Sequence, residues 1–141
     1  MSAKKAKYIT TTLPYVNAEP HIGFALEIVE ADTLARYWRL TGHEVFFSTG
    51  TDEHGQKVAE KADQEGKDRQ QYVDEYAASF NKLKTVLNLS PDNFIRTTDT
   101  NHVAAAKEMW RRCDAKGDIY KKIIDSVPDA ELIDIKLNND D

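Results

Sequence analysis

Two short stretches of this 141-residue chain carry residue types suited to chemistry. In the first, Pro14-Tyr15-Val16-Asn17-Ala18-Glu19-Pro20-His21-Ile22-Gly23-Phe24, a β-type run ends in a proline-bracketed loop and a helix opens at His21. A helix start offers unpaired N–H groups and a partial positive charge, which suit a phosphate. Gly23 lets a base or ribose approach backbone that a side chain would block, and His21 can donate a hydrogen bond to phosphate oxygens. The same residues also read as a capped helix with a surface histidine. The second stretch, Gly50-Thr51-Asp52-Glu53-His54-Gly55, follows the apolar run Val45-Phe46-Phe47. In a parallel αβ unit both stretches fall at the carboxyl ends of strands, where ligand crevices form.

The elements that must hold these residues follow from patterning. Tyr8 to Leu13 has the β-branched and aromatic content of a first strand, and Pro14 argues against its continuing as a central one. From about His21 to Leu40 the chain reads as a helix apolar over much of its circumference: Phe24, Ile28, Ala31, Ala35 and Trp38, with Leu26, Val29 and Leu34 beside them. Gly42 ends it. His43 to Thr49 contains the apolar run of a short central parallel strand covered on both faces. A helix is expected to start near Thr51 and Asp52 and carry Val58 and Ala62, and a longer one after Gly66 places Tyr72, Tyr76, Phe80, Leu83 and Leu87 in the core. Asn93 to Thr97 reads as a strand, Asp99 or Thr100 caps a helix reaching about Lys116, and Ile119-Tyr120 would begin another strand. The order β-α-β-α-β-α is that of an α/β protein with a parallel, Rossmann-like nucleotide-binding sheet, first half only.

Composition bounds the rest. With 40% hydrophobic and 30% charged residues the chain suits one globular domain. No apolar run approaches the roughly 18 to 20 residues of a membrane span, and the lysine-rich start runs into a strand without a signal-peptide core, so no membrane association and a cytoplasmic location are expected. The lone cysteine, Cys113, excludes an intrachain disulfide and a multi-cysteine zinc knuckle within these residues. It shares a helical face with Val103, Ala106 and Trp110 and reads as a core thiol. All of the net charge of -5 lies in residues 123–141, an acidic tail, while residues 1–122 are balanced. Nucleic-acid affinity rests on Lys and Arg neutralising phosphates, so these residues alone make a poor RNA binder. Gly-x-x-x-x-Gly-Lys-Ser/Thr and Gly-x-Gly-x-x-Gly loops are both missing, which disfavours a P-loop NTPase or a dinucleotide oxidoreductase.

Together the two stretches resemble the methionyl-tRNA synthetases, a class I aminoacyl-tRNA synthetase family. The resemblance runs from about Lys7 to Lys122 through TTLPYVNAEPHIG, ADTLARYWRLTGHEVFFSTGTDEHGQKV and WRRCDAKGDIYKK. It implies attack of the methionine carboxylate on the α-phosphate of ATP, with Mg2+, and transfer of the methionyl group to tRNA. His21 of the signature HIGH would contact the phosphates and be catalytic, Gly23 would make room for adenosine, and Asn17 would fix the loop or touch phosphate. Phe24 stands where the signature has its second histidine and would pack beneath the nucleotide. Leu13 and Tyr15 would line the methionine pocket, Leu13 also offering its carbonyl to the ammonium, which Asp52 would accept. Without the resemblance Asp52 reads as a helix cap, Tyr15 as a loop aromatic and Leu13 as a strand residue.

Family features not found here are a connective domain with zinc-binding cysteines, a KMSKS loop and an anticodon-binding domain. The resemblance therefore implies no metal site in this chain, tRNA contact only through regions absent from it, a segment not competent alone, and a complementing second half among its partners. The alternative is a non-catalytic module that binds nucleotide, methionine or a partner.

Overall fold

Seven elements succeed one another over residues 5–121, the residues that the computed structural model describes: β1 (Ala6–Thr10), α1 (Ile22–Leu40), β2 (Glu44–Thr51), α2 (Gln56–Gln64), α3 (Arg69–Val86), β3 (Asn93–Arg96) and α4 (Thr100–Lys116). They fall into two units divided after Asp99. The acidic segment 123–141 lies outside the described residues. Among those described, no helix is long and apolar enough to cross a membrane, and Ile119 and Tyr120 belong to no strand.

The first unit is a parallel sheet in the order β1-β2-β3, with Tyr8 opposite Phe46 and Thr49 opposite Phe94. Each crossover steps one strand in the same direction, so the right-handed rule puts α1 and the α2–α3 pair on one face. Phe24 of α1 accordingly meets Phe80 of α3 edge-on, with ring centroids 5.4 Å apart. These rings, with Ile28, Phe47, Tyr72 and Val73, form the core. The aromatics of α3 lie where their helical spacing predicts, with Tyr72 and Phe80 buried and Tyr76, Leu83 and Leu87 packed against them.

β2 is central, as expected, but it is not covered on both faces. Phe46 remains 48% exposed and stacks on exposed Tyr8 at 5.7 Å. Pleating sends Phe46 and Phe47 to opposite faces, and the helices of this unit occupy only the Phe47 side. α1 likewise buries one stripe, Phe24, Ile28, Asp32 and Ala35, and leaves Leu26, Val29 and Leu34 exposed.

Asp32 is the polar member of that stripe. Its carboxylate accepts from Arg36 Nε at 2.6 Å and from the Ser90 amide and hydroxyl, both at 2.6 Å. Burial opposes its ionisation, but the Ser90 and Arg36 hydrogen bonds outweigh burial and hold its pKa below the ordinary aspartate value. Nearby, Asp92 accepts from Arg39 of α1 at 2.7 Å and from the Phe47 amide of β2 at 2.7 Å. The carboxyl-terminal half of α1 is thus tied by charge to the turn that leads into β3.

The second unit's described part is α4 and the residues to 121. α4 has no buried residue, and Cys113 is half-buried rather than a core thiol. A single helix has no second layer of its own against which to bury the face of Val103, Ala106, Trp110 and Cys113.

One glycine sets how closely the strands approach. A Cβ on Gly50 of β2 would lie 1.9 Å from the Ile95 carbonyl oxygen of β3, which is backbone and cannot step aside. Gly50→Ala is therefore expected to lower stability by about 3 kcal/mol, read as a fall in the urea midpoint. An unchanged midpoint would contradict the close approach.

Candidate functional site

The two chemically suited stretches meet through backbone. The chain leaves β1 after Thr10, yet the Asp52 amide donates to the Pro14 carbonyl at 2.9 Å, and the Val16 amide donates to the Asp52 carbonyl at 3.2 Å. Tyr15 and Asp52 form a parallel bridge. Proline has a carbonyl to give but no N–H, so Pro14 ends the regular strand without ending its partnership with β2. Fully buried Val16 anchors the loop. Upstream, Thr11 and Thr49 share a hydroxyl hydrogen bond of 2.7 Å, and Thr12 donates its amide to Glu27 of α1 at 2.6 Å. Half-buried Leu13 sits between these ties and the bridge.

Beyond the bridge opens a cleft of about 470 Å³, lined among others by Tyr15, Asn17, His54, Gly55, Lys57 and Val58. The Tyr15 side chain is 59% exposed to it and to solvent. Tyr15 and Asn17 are thus brought together, with Asp52 adjacent through the backbone. Leu13, His21, Gly23, Phe24 and Asp52 itself are not part of the cleft lining.

His21 is the N-cap of α1. Its Nδ1 accepts from the amides of Gly23 at 3.1 Å and Phe24 at 3.4 Å. A ring nitrogen that accepts carries no proton, so the neutral imidazole holds its hydrogen on Nε2. Two of the amides that sequence offered to a phosphate are therefore taken by the ring, and the exposed Nε2–H is the donor left to face an anion. Gly23 serves this arrangement: a Cβ there would lie 3.0 Å from His21 Cε1 and 3.1 Å from Nδ1. Phe24 is turned into the core at 5% exposure, against Phe80. This departs from the nucleotide contact expected of it, because its helical position faces α3.

Asp52 does not cap a helix. β2 persists to Thr51, and α2 begins only at Gln56 with Gly55 as its N-cap at φ 125, a backbone conformation that favours glycine. The helix expected near Thr51 starts late because the bridge to Tyr15 keeps Asp52 extended. Asp52 Oδ1 accepts long bonds of 3.4 Å from the His54 amide and of 3.4 Å from the Thr97 hydroxyl. His54, to which sequence gave no role, donates Nε2–H to the Thr97 carbonyl at 3.2 Å.

Sequence reasoning missed Glu53. It is 3% exposed, and Arg96 of β3 grips it with Nε at 2.6 Å and Nη2 at 2.8 Å. Thr51 donates a further bond at 2.8 Å, Thr98 another, and the Glu53 amide donates to Thr97 Oγ1 at 2.8 Å. Burial opposes ionisation, but the Arg96, Thr98 and Thr51 bonds together hold its pKa below the ordinary value. Arg96 also bonds Asp74 of α3, and Glu53 foremost keeps the guanidinium well above its ordinary value. No local pattern marks Glu53, since Arg96 lies 43 residues away; only the adjacency of the β2 and β3 ends joins them. Among the described residues no group of three or more His, Cys, Asp or Glu could hold a metal ion.

The sign of the pH effect follows. A carboxylate whose folded pKa is depressed stabilises fully above its unfolded value, 4.5 for Glu53, and the contribution is lost as pH falls through the lower folded value. The urea midpoint is expected to hold above pH 5 and fall below about pH 4. Glu53→Gln should lower the midpoint at neutral pH and flatten the acid fall; an acid fall unchanged from the parent would remove Glu53 from the account.

Comparison with known proteins bears on the same stretches. The family model described as tRNA synthetases class I (M) matches residues 7–132. The methionine–tRNA ligase of Thermotoga maritima is 51% identical over 116 residues, 82% of this chain and 18% of the relative. That of Mycobacterium leprae is 51% identical over 113 residues, 80% of this chain and 21% of the relative. Among solved structures, Mycobacterium tuberculosis methionyl-tRNA synthetase in complex with methionyl-adenylate superposes with a TM-score of 0.82 at 46% identity, covering 84% of this chain and 23% of that one. The chain spans only about a fifth of the length of these relatives. Sequence, fold and both motifs agree, and the chain belongs to the class I methionyl-tRNA synthetase family.

Proposed function

We propose that this chain supplies one side of a methionine-activating site, in which ATP and methionine give methionyl-adenylate and pyrophosphate before transfer to tRNA. The observation that carries the reading is the backbone bridge between Tyr15 and Asp52, which pairs an aromatic that lines an open cleft with a carboxylate. The M. tuberculosis relative, whose fold this chain shares, was solved with methionyl-adenylate.

In this reading a methionine carboxylate oxygen attacks the α-phosphorus, the bond from that phosphorus to the bridging oxygen breaks, and pyrophosphate leaves with the electron pair. The protein has charge to stabilise and groups to position rather than covalent chemistry to perform. His21 Nε2–H donates to the phosphate oxygens as charge develops. Gly23 keeps that ring in place and leaves the backbone open to adenosine. Phe24 contributes from the core, by fixing the first turn of α1. Leu13 and Tyr15 form an apolar wall for the thioether, the Leu13 carbonyl and the Asp52 carboxylate take the ammonium, and Asn17 holds the loop at the cleft. Mg2+ would travel on the phosphates of ATP and neutralise their charge, and zinc has no part in this segment.

The segment of family character is taken as residues 1–122 with 123–141 an acidic tail, while the family model's match runs ten residues further, to 132. Transfer RNA would be gripped by parts outside this chain, in keeping with its balanced charge over residues 1–122. The action is placed in the cytoplasm, and turnover is assigned to the chain joined by a complementing second half rather than to the chain alone.

The test is methionine-dependent ATP–pyrophosphate exchange by the chain co-purified with the remaining four-fifths of the T. maritima relative. Exchange is expected, with His21→Ala lowering kcat by about 100- to 1,000-fold and Asp52→Ala raising the KM for methionine by about 10- to 100-fold. Exchange equal in all three preparations, or absent in each, would overturn the reading.

A further inference from the structure

Asp52 has two carboxylate oxygens in different circumstances. Oδ1 receives the His54 amide and the Thr97 hydroxyl, each at 3.4 Å, and among the described residues Oδ2 has no hydrogen-bond partner. Thr97 lies just beyond β3 and is 7% exposed. Its Oγ1 accepts the Glu53 amide at 2.8 Å. A hydroxyl has one proton and two acceptor lone pairs, so with Glu53 N–H on a lone pair the Thr97 proton is left to donate, and Asp52 Oδ1 is the acceptor in reach. The Thr97 backbone is fixed from both sides. Its amide donates to the Thr51 carbonyl at 3.2 Å, and its carbonyl accepts His54 Nε2–H at 3.2 Å.

We propose that Thr97 is a positioning residue for Asp52: its hydroxyl, aimed by Glu53 N–H, holds Oδ1 and leaves Oδ2 turned out for the ammonium of the amino-acid substrate. The inference rests on the reading of Asp52 as the ammonium acceptor. At 3.4 Å the bond is long for O–H···O, so its work is orientation more than strength. A carboxylate free to rotate about its last bond would present a well-placed oxygen only part of the time. Thr97 touches no substrate in this account and acts through Asp52 alone.

That action separates from a structural one by ligand chemistry. Binding of L-methionine and of its des-amino counterpart, 4-(methylthio)butanoate, is measured by calorimetry for this chain co-purified with the remaining four-fifths of the T. maritima relative, and for its Thr97→Val and Thr97→Ser variants. Thr97→Val is expected to weaken L-methionine by about 3- to 10-fold and to leave the des-amino acid unchanged, with Thr97→Ser restoring the parent affinity. Equal weakening of both ligands, or of neither, overturns the inference while the methionine site stands. Failure of that parent assembly to bind L-methionine overturns both the site and the inference. Thr97→Val also strands the Glu53 amide; should that variant fail to fold by circular dichroism, Thr97→Cys, compared with Thr97→Ser as its isostere with a stronger donor, carries the same comparison with a smaller expected loss.

Discussion

A carboxylate buried at the end of a strand stays charged only if its oxygens are answered, and at Glu53 they are answered by Arg96, Thr51 and Thr98 together. Replacing such a group by apolar packing often costs nothing, whereas removing one partner leaves an unpaired buried charge. The value of the arrangement is therefore geometric. Arg96 is the last residue of β3 and also reaches Asp74 of α3. Two strands and a helix thus converge on one ion pair at the carboxyl edge of the sheet. The close backbone approach at Gly50 has the same consequence, since it admits no slack between β2 and β3 directly before the motif loop begins.

The two ends of α1 are held by different means. Its carboxyl-terminal half is fixed by charge through Asp32, Arg36 and Arg39 to residues 88–92. Its amino end is held by the His21 imidazole, with Phe24 driven into the core one turn later. A carboxylate or hydroxyl at the cap position would satisfy the same amides. The imidazole does so while keeping an N–H on its far side. The cap and the exposed donor are thus two nitrogens of one ring, and the helix that orients the ring is immobilised at the other end.

Much of this was legible in sequence because periodicity and turn chemistry are local. The spacing of Tyr72, Tyr76 and Phe80 identifies the buried side of α3, and the His-Ile-Gly opening marks the start of α1 to within a residue. What escaped depends on which residues become neighbours. Glu53 looks like one polar residue among several until β3 brings Arg96 beside it. Asp32 sits on a core stripe where patterning expects an apolar residue, and Ser90, 58 positions away, is what makes it tolerable. Phe46 and Phe47 look alike in sequence, and only the placement of α1 and α3 on one face decides that Phe47 is buried and Phe46 is not.

The bridge between Tyr15 and Asp52 adds a constraint that side-chain chemistry alone would not provide. Residues paired across a bridge project to the same side of the sheet with Cβ atoms about 5 Å apart. An aromatic ring and a carboxylate held this way start from the same side of the sheet. That combination suits a ligand with a cationic end and an apolar body. Neither motif achieves it alone, because one lies in the loop after β1 and the other at the end of β2. The register is set by main-chain atoms, the Pro14 carbonyl and the Asp52 amide and carbonyl. The side chains at positions 15 and 52 therefore remain free of structural duty in the bridge that aligns them.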